Sequence, residues 1–318
     1  MTNTNNEKIQ IIYGDCTLGL KVKNCHYIFS YTKGGLESLK KDGKEWLYRE
    51  ITPIFWRATT DNDRGSCFHF KSCMWLGATL KQTVENIQVK VNHQPIDLPI
   101  APNNNQYTQE EFADNVEICF TLLVNSTPQT KVTMTYLVNQ AAEMKVTLHY
   151  FGKVGLPELP ALGVRFIMPT PAISYEYEGL SGETYPDRMN GAQEGVYTIT
   201  GLPITPYLVP QDCMMHMQTK WLTITRNQTL NNVNQKPGNF SLSIQKASHD
   251  FAFTALPFKA EELEQATHWE ELPPKRRTVL TIYHKVRGVG GINSWGEDVT
   301  KPYHLSAQED HEICFIVK

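Results

Sequence analysis

Alternation is the feature that most restricts what this chain can become. Val116, Ile118, Phe120, Leu122 and Val124 are interleaved with Glu117, Cys119, Thr121 and Leu123. Val132, Met134, Tyr136 and Val138 repeat the pattern, as do Met144, Val146, Leu148 and Tyr150. A period of two places the first set of each run on one face of an extended strand, which is the mark of half-buried antiparallel sheet. The breaks at Ser126-Thr-Pro128 and Asn139-Gln-Ala-Ala142 are short enough for hairpins. Further strands are expected at 9–13, 26–30, 84–91, 163–168, 221–226, 240–245, 279–286 and 313–317, with a turn at Lys33-Gly-Gly35 after the second of these. Helix is scarce. Two turns are expected over 259–266, after Pro257, and another short helix within 66–80. Many short strands with turn signals between them predict an all-β fold, a large antiparallel sandwich with little helix.

At 318 residues the chain is long enough to bury a sizeable core. Residues 93–106, with three prolines and a run of Asn, read as a surface loop because strands resume soon after it. The whole of 1–318 is therefore expected to form one domain, with 1–8 as a flexible N-terminus.

Charge and cysteine usage remove several classes of function. A net charge of -3 gives no basic field for nucleic acid or an anionic membrane. The longest apolar runs, such as Ile313–Val317, are too short to span a bilayer. The first eight residues carry no apolar stretch, so secretion is not indicated. Seven cysteines, odd in number and irregular in spacing, argue for a reducing compartment, and a cytoplasmic location is expected. No phosphate-binding loop, dinucleotide fingerprint, Gly-x-Ser-x-Gly elbow or His-Glu-x-x-His occurs.

Four segments could carry chemistry. In Arg287–Gly296, glycines at 288, 290, 291 and 296 surround Trp295. Glycine opens backbone conformations closed to other residues, so the loop could present the indole face to a sugar; a core tryptophan at a strand end is the plainer alternative. In Phe55–Gly65, Arg57, Asp61, Asn62, Asp63 and Arg64 suit a turn held by charge-assisted pairs. The Asp-Asn-Asp run resembles part of a calcium loop, but the twelfth position from Asp61 is Ser72, where that loop needs Glu. In Glu178–Arg188, Glu183 and Asp187 could be imagined as a glycosidase carboxylate pair, or Asp187 as the partner of Arg188 or another cation. Cys67, His69 and Cys73 invite a zinc reading, yet no second ligand pair exists, and no metal is expected.

Three of these segments, in this order, resemble the C-terminal domain of the lac-type β-galactosidases of glycoside hydrolase family 2. Phe55-Trp-Arg-Ala-Thr-Thr-Asp-Asn-Asp-Arg-Gly65, Glu183-Thr-Tyr-Pro-Asp-Arg188 and Gly288–Gly296 are similar to that domain's motifs, and Pro206-Tyr207, Val209-Pro210 and Gln211 to the stretch that follows the second. The likeness runs from about residue 10 to the end. Ile292 stands where the family usually has Asp, and Gln211 where it has Glu; the family's Trp-x-Gly-x-Gly-Pro is Tyr177-Glu-Gly-Leu-Ser-Gly182 here.

The resemblance implies a galactose mutarotase-like β-supersandwich and the small subunit of a two-chain enzyme that hydrolyses β-galactosides such as lactose. The acid/base and nucleophile glutamates and the magnesium would lie on a large catalytic subunit. No catalytic residue and no cofactor would belong to this chain, which alone would be inactive. Trp295 would stack on the leaving-group sugar, with Asn293 and Ser294 as neighbours. Gly65 and Ser66 would open a mobile loop near the same site. Arg57, Asp61, Asn62, Asp63, Glu183, Tyr185, Asp187 and Arg188 would form the structural motif.

Two other functions remain. An aldose 1-epimerase would share the sandwich, but its Asn-His is followed by an aromatic-rich strand, and here Asn92-His93 precedes Gln-Pro. A stand-alone carbohydrate-binding module would bind sugar without a partner.

Overall fold

A computed structural model describes residues 8–98, 100–101, 111–233 and 238–318. Of the expected flexible terminus only Lys8 falls within them, and much of the expected 93–106 loop lies outside.

The alternating segments form the widest part of the molecule. Asn115–Val124, Thr130–Asn139 and Met144–Tyr150 pair antiparallel, with Val116 opposite Val138 and Met134 opposite Leu148. They lie within a ten-stranded sheet that runs Glu194–Thr200, Ser174–Leu180, Trp221–Arg226, Phe240–Lys246, His311–Val317, these three, Gln82–Val91 and Gln94–Ile96. Asn139 closes one hairpin by accepting the amides of Ala141 and Glu143 at 2.9 and 3.1 Å, which leaves Ala142 in the left-handed region.

A six-stranded sheet holds Lys44–Glu45, Gly35–Lys41, Cys25–Ser30, Thr17–Val22, Ile9–Tyr13 and Phe112–Ala113. Gly34 turns the chain between two of these strands at φ 70°, where a Cβ would fall 2.7 Å from methyls of Leu122 and Val84. The third sheet has five strands: His216–Thr219, Phe251–Leu256, Thr278–Val286, Ala161–Met168 and Thr52–Ile54. All paired strands in these sheets are antiparallel.

Every residue of Ala161–Met168 and of Phe251–Leu256 is buried. These strands are covered on both faces, so they show no alternation, and Phe251–Leu256 was not among the expected strands. A single apolar cluster joins the three sheets, from Leu20 and Phe29 through Phe120 and Tyr136 to Phe166, Phe253 and Ile282. The fold is an all-β antiparallel supersandwich, as expected. The expected helix within 66–80 is two helices, Phe68–Ser72 and Met74–Leu80, that meet at Cys73. Among the described residues no helix is long and apolar enough to cross a membrane.

Candidate functional site

The three motif segments each leave the end of a strand and converge. Phe55–Gly65 follows the edge strand Thr52–Ile54, Glu183–Arg188 follows Ser174–Leu180, and Arg287–Gly296 follows the long strand Thr278–Val286.

The first segment makes a foundation. Thr60 caps the short helix Asp61–Gly65: its hydroxyl accepts from the Asp63 amide, and the Asp63 carboxylate accepts from the Thr60 amide. That reciprocal cap turns Asp63 inward. Its two oxygens meet the Arg57 guanidinium at 2.6 and 3.2 Å, and Arg287 stands 3.4 Å away. All three side chains are essentially buried. Burial opposes the charge on Asp63, but Arg57 and the Thr60 donors overcome it and hold the carboxyl below its usual range. Burial likewise opposes the Arg57 charge, and Asp63 outweighs it, leaving the guanidinium more firmly protonated than usual. Arg287 lies 3.8 Å above the Phe68 ring centroid and also pairs with Glu158 at 3.1 Å and with Asp298.

The loop that carries Trp295 rests on this base through its backbone. Consecutive carbonyls are each taken by a different side chain: Gly288 by Arg57 at 3.1 Å, Val289 by Asn62 at 3.0 Å, and Gly290 by Arg188. The amides of Val289 and Gly290 donate to the two oxygens of Asp187 at 2.9 and 2.8 Å, and the Gly288 amide donates to the Tyr303 carbonyl at 2.9 Å. Side chains thus do here what a neighbouring strand does in a sheet. Gly288 allows the approach, since a Cβ there would fall 2.9 Å from Asp187 Cγ.

Beyond the clamp the chain turns outward. Gly290, Gly291 and Gly296 have φ of 68°, 79° and 78°. Asn293 accepts the Trp295 amide at 3.0 Å and donates to Glu297 at 2.7 Å, which fixes the turn at the tip. Ser294 and Ile292 are exposed, and Trp295 is 90 % exposed. The indole is therefore not a core residue.

Beside the loop lies a cleft of about 540 Å³ lined by Asn62, Glu183, Tyr185, Arg188, Tyr207 and Asp212, among others. Glu183 accepts hydroxyl bonds from Thr205 and, at 3.1 Å, from Tyr207. Tyr185 donates to buried Asp212 at 2.8 Å. Burial pushes the Asp212 carboxyl up to about 7, against the pull of Arg57 and Tyr185. Asp187 is spent on the loop backbone, so Glu183 and Asp187 do not form a pair of free carboxylates.

Other sequence expectations find different places. Gly65 and Ser66 do not open a loop: Gly65 ends a helix and Ser66 caps it, its amide on the Asn62 carbonyl at 2.9 Å, because the Thr60 cap starts a helical turn that sequence reading left unassigned. Cys67 and Cys73 are exposed at helix ends, and among the described residues no three His, Cys, Asp or Glu side chains converge as metal ligands would. Asn92 and His93 sit in an exposed hairpin turn between Gln82–Val91 and Gln94–Ile96, both at positive φ. Gln211 accepts the Asp61 amide at 2.8 Å. Arg287, Glu158, Asp298 and Asp212 were missed as site residues. Only Arg287, immediately before the glycine run, carried any local signal.

Residues 21–317 match the β-galactosidase small chain family. The chain belongs to that family. It is 51 % identical over 315 residues to a β-galactosidase small subunit of Latilactobacillus sakei, with 99 % of each chain covered. It is 27 % identical over 313 residues to a β-galactosidase of Streptococcus thermophilus, where 98 % of this chain spans only 28 % of the relative. Among solved structures it is similar to a putative aldose 1-epimerase from Escherichia coli K12, at 12 % identity, a TM-score of 0.46 and 98 % coverage of both chains. As a member of the small chain family, this protein presents on one face the three segments that first suggested the resemblance.

Proposed function

We propose that this chain is the small subunit of a two-chain β-galactosidase and that Trp295 completes an active site built mainly by a large catalytic subunit. The reaction is hydrolysis of terminal β-D-galactosides such as lactose with retention. One carboxylate attacks the anomeric carbon, and a second protonates the leaving oxygen and later activates water. Both would belong to the partner, as would the magnesium. The larger Streptococcus thermophilus relative supports the division: what this chain leaves uncovered in it is most of that protein.

The observation that carries the role of Trp295 is the contrast within its loop. The base at 288–290 is tied at every backbone group, while the indole five residues later is almost wholly exposed. An exposed indole carried on a fixed base suits stacking on the C–H face of a sugar. It would shape the acceptor site, where glucose leaves, more than the galactose site.

Reconstitution tests the proposal. Galactosidase activity is measured for this chain, for the large subunit and for their mixture. Activity only in the mixture is expected; hydrolysis by this chain alone overturns the assignment.

A further inference from the structure

We infer that Asp187 is a positioning residue for Trp295: its carboxylate sets the backbone of the indole loop and thereby the affinity of the assembled enzyme for the leaving-group sugar. This rests on the proposed role of Trp295.

The geometry runs outward from the core in four steps. Tyr185 is anchored by its hydroxyl bond to buried Asp212. The chain then makes a tight turn, with the Arg188 amide on the Tyr185 carbonyl at 2.8 Å, and this projects Asp187 toward the loop. The two carboxylate oxygens each take one of two consecutive amides, Val289 and Gly290. The neighbouring Arg188 takes the carbonyl of Gly290, so one residue of the loop is gripped at both its polar groups by adjacent residues of another segment.

An amide-to-carboxylate bond is charge-assisted and stronger than a neutral one. Two of them on successive amides fix the direction of the peptide planes as well as their distance. From Gly290 the chain needs only Gly291, Ile292 and the Asn293 turn to reach Trp295, and that turn is closed by local bonds. A change in the peptide planes at 289–290 is therefore carried to the indole. Asp187→Asn keeps the shape but can turn its amide group toward donors that need an acceptor, and the lost contact cannot be replaced from the same side chain.

A purely structural role would lower stability and leave substrate discrimination alone. A positioning role shifts discrimination. Complexes of the large subunit with wild-type, Asp187→Asn, Trp295→Ala and doubly substituted small subunit are compared for kcat/KM on lactose relative to an aryl galactoside, for transfer to glucose, and for inhibition by galactose. The anisotropy of Trp295 emission, isolated by subtracting a Trp295→Phe protein, reports the loop without reference to activity.

Asp187→Asn is expected to lower the lactose-to-aryl ratio and transfer to glucose several-fold, to leave galactose inhibition as in wild type, to lower the Trp295 anisotropy, and to add nothing on the Trp295→Ala background. Wild-type ratio and anisotropy in Asp187→Asn, while Trp295→Ala lowers the ratio, overturn this inference and leave the proposed function standing. A wild-type ratio in Trp295→Ala sinks both. If Asp187→Asn does not fold, Asn62→Ala serves, because Asn62 is exposed and holds the adjacent Val289 carbonyl; it is expected to shift the ratio in the same direction, and no shift overturns the inference.

Discussion

Gly296 rests on Gly65: a Cβ at Gly296 would fall 2.5 Å from the Gly65 carbonyl oxygen. The far end of the indole loop is thus seated on the last residue of the helix Asp61–Gly65, and only glycine fits there. Gly296→Ala adds a left-handed conformation at φ 78° that costs about 1–2 kcal/mol for an L side chain, before the clash is counted. We expect a lower melting temperature in the isolated subunit and a higher KM for lactose in the complex. Wild-type values of both would show that the loop has another support.

Trp295→Ala separates binding from folding. The side chain is almost fully exposed, so stability of the isolated chain should change by no more than about 0.5 kcal/mol in urea titration. Loss of a stacking contact of about 0.5–1.5 kcal/mol corresponds to a KM for lactose raised up to about tenfold. The assembled variant should still cleave an aryl galactoside. Unchanged lactose kinetics would remove Trp295 from the site.

Asp63→Asn probes the foundation. It leaves Arg57 and Arg287 buried without their shared anion, and breaking a buried pair from one side costs about 3–5 kcal/mol. Urea denaturation should show that loss. A loss below about 1 kcal/mol would mean that Glu158 and Asp298 compensate on the Arg287 side.

Asp212 should leave a mark on the pH dependence of stability. Its folded carboxyl is raised to about 7, chiefly by burial, above the value of about 3.9 for an unfolded Asp. The folded state therefore binds more protons between those values, and stability falls as pH rises from about 4 to 7. Asp212→Asn should flatten the melting temperature across that window. A slope equal to wild type would assign the titration to another group.

Much of the fold could be read from residues with one wet face. Val116–Val124 alternates because its strand has a covered and an open side, and its register with Thr130–Asn139 needed only the short connection at 125–129. Phe251–Leu256 carries no such signal, since both its faces are covered. The site was legible as three motifs but not as a geometry. Nothing in the spacing of Asp187 says that it holds amides a hundred residues later, and Glu158 and Asp298 are single charges that only the fold brings to Arg287. The helix at Asp61 was hidden because its cap, Thr60 with Asp63, resembles any polar turn until the pair is seen closed on itself.

The clamp at 288–290 also bears on how such a subunit can change its preferences over time. Every polar backbone group of those residues is answered inside the chain, while the side chains of the tip, Ile292, Asn293, Ser294 and Trp295, are exposed. The tip side chains can be exchanged without touching the foundation. Exchange of exposed Ile292 disturbs no buried pair and no loop-holding bond. The tip can therefore vary at small risk to folding.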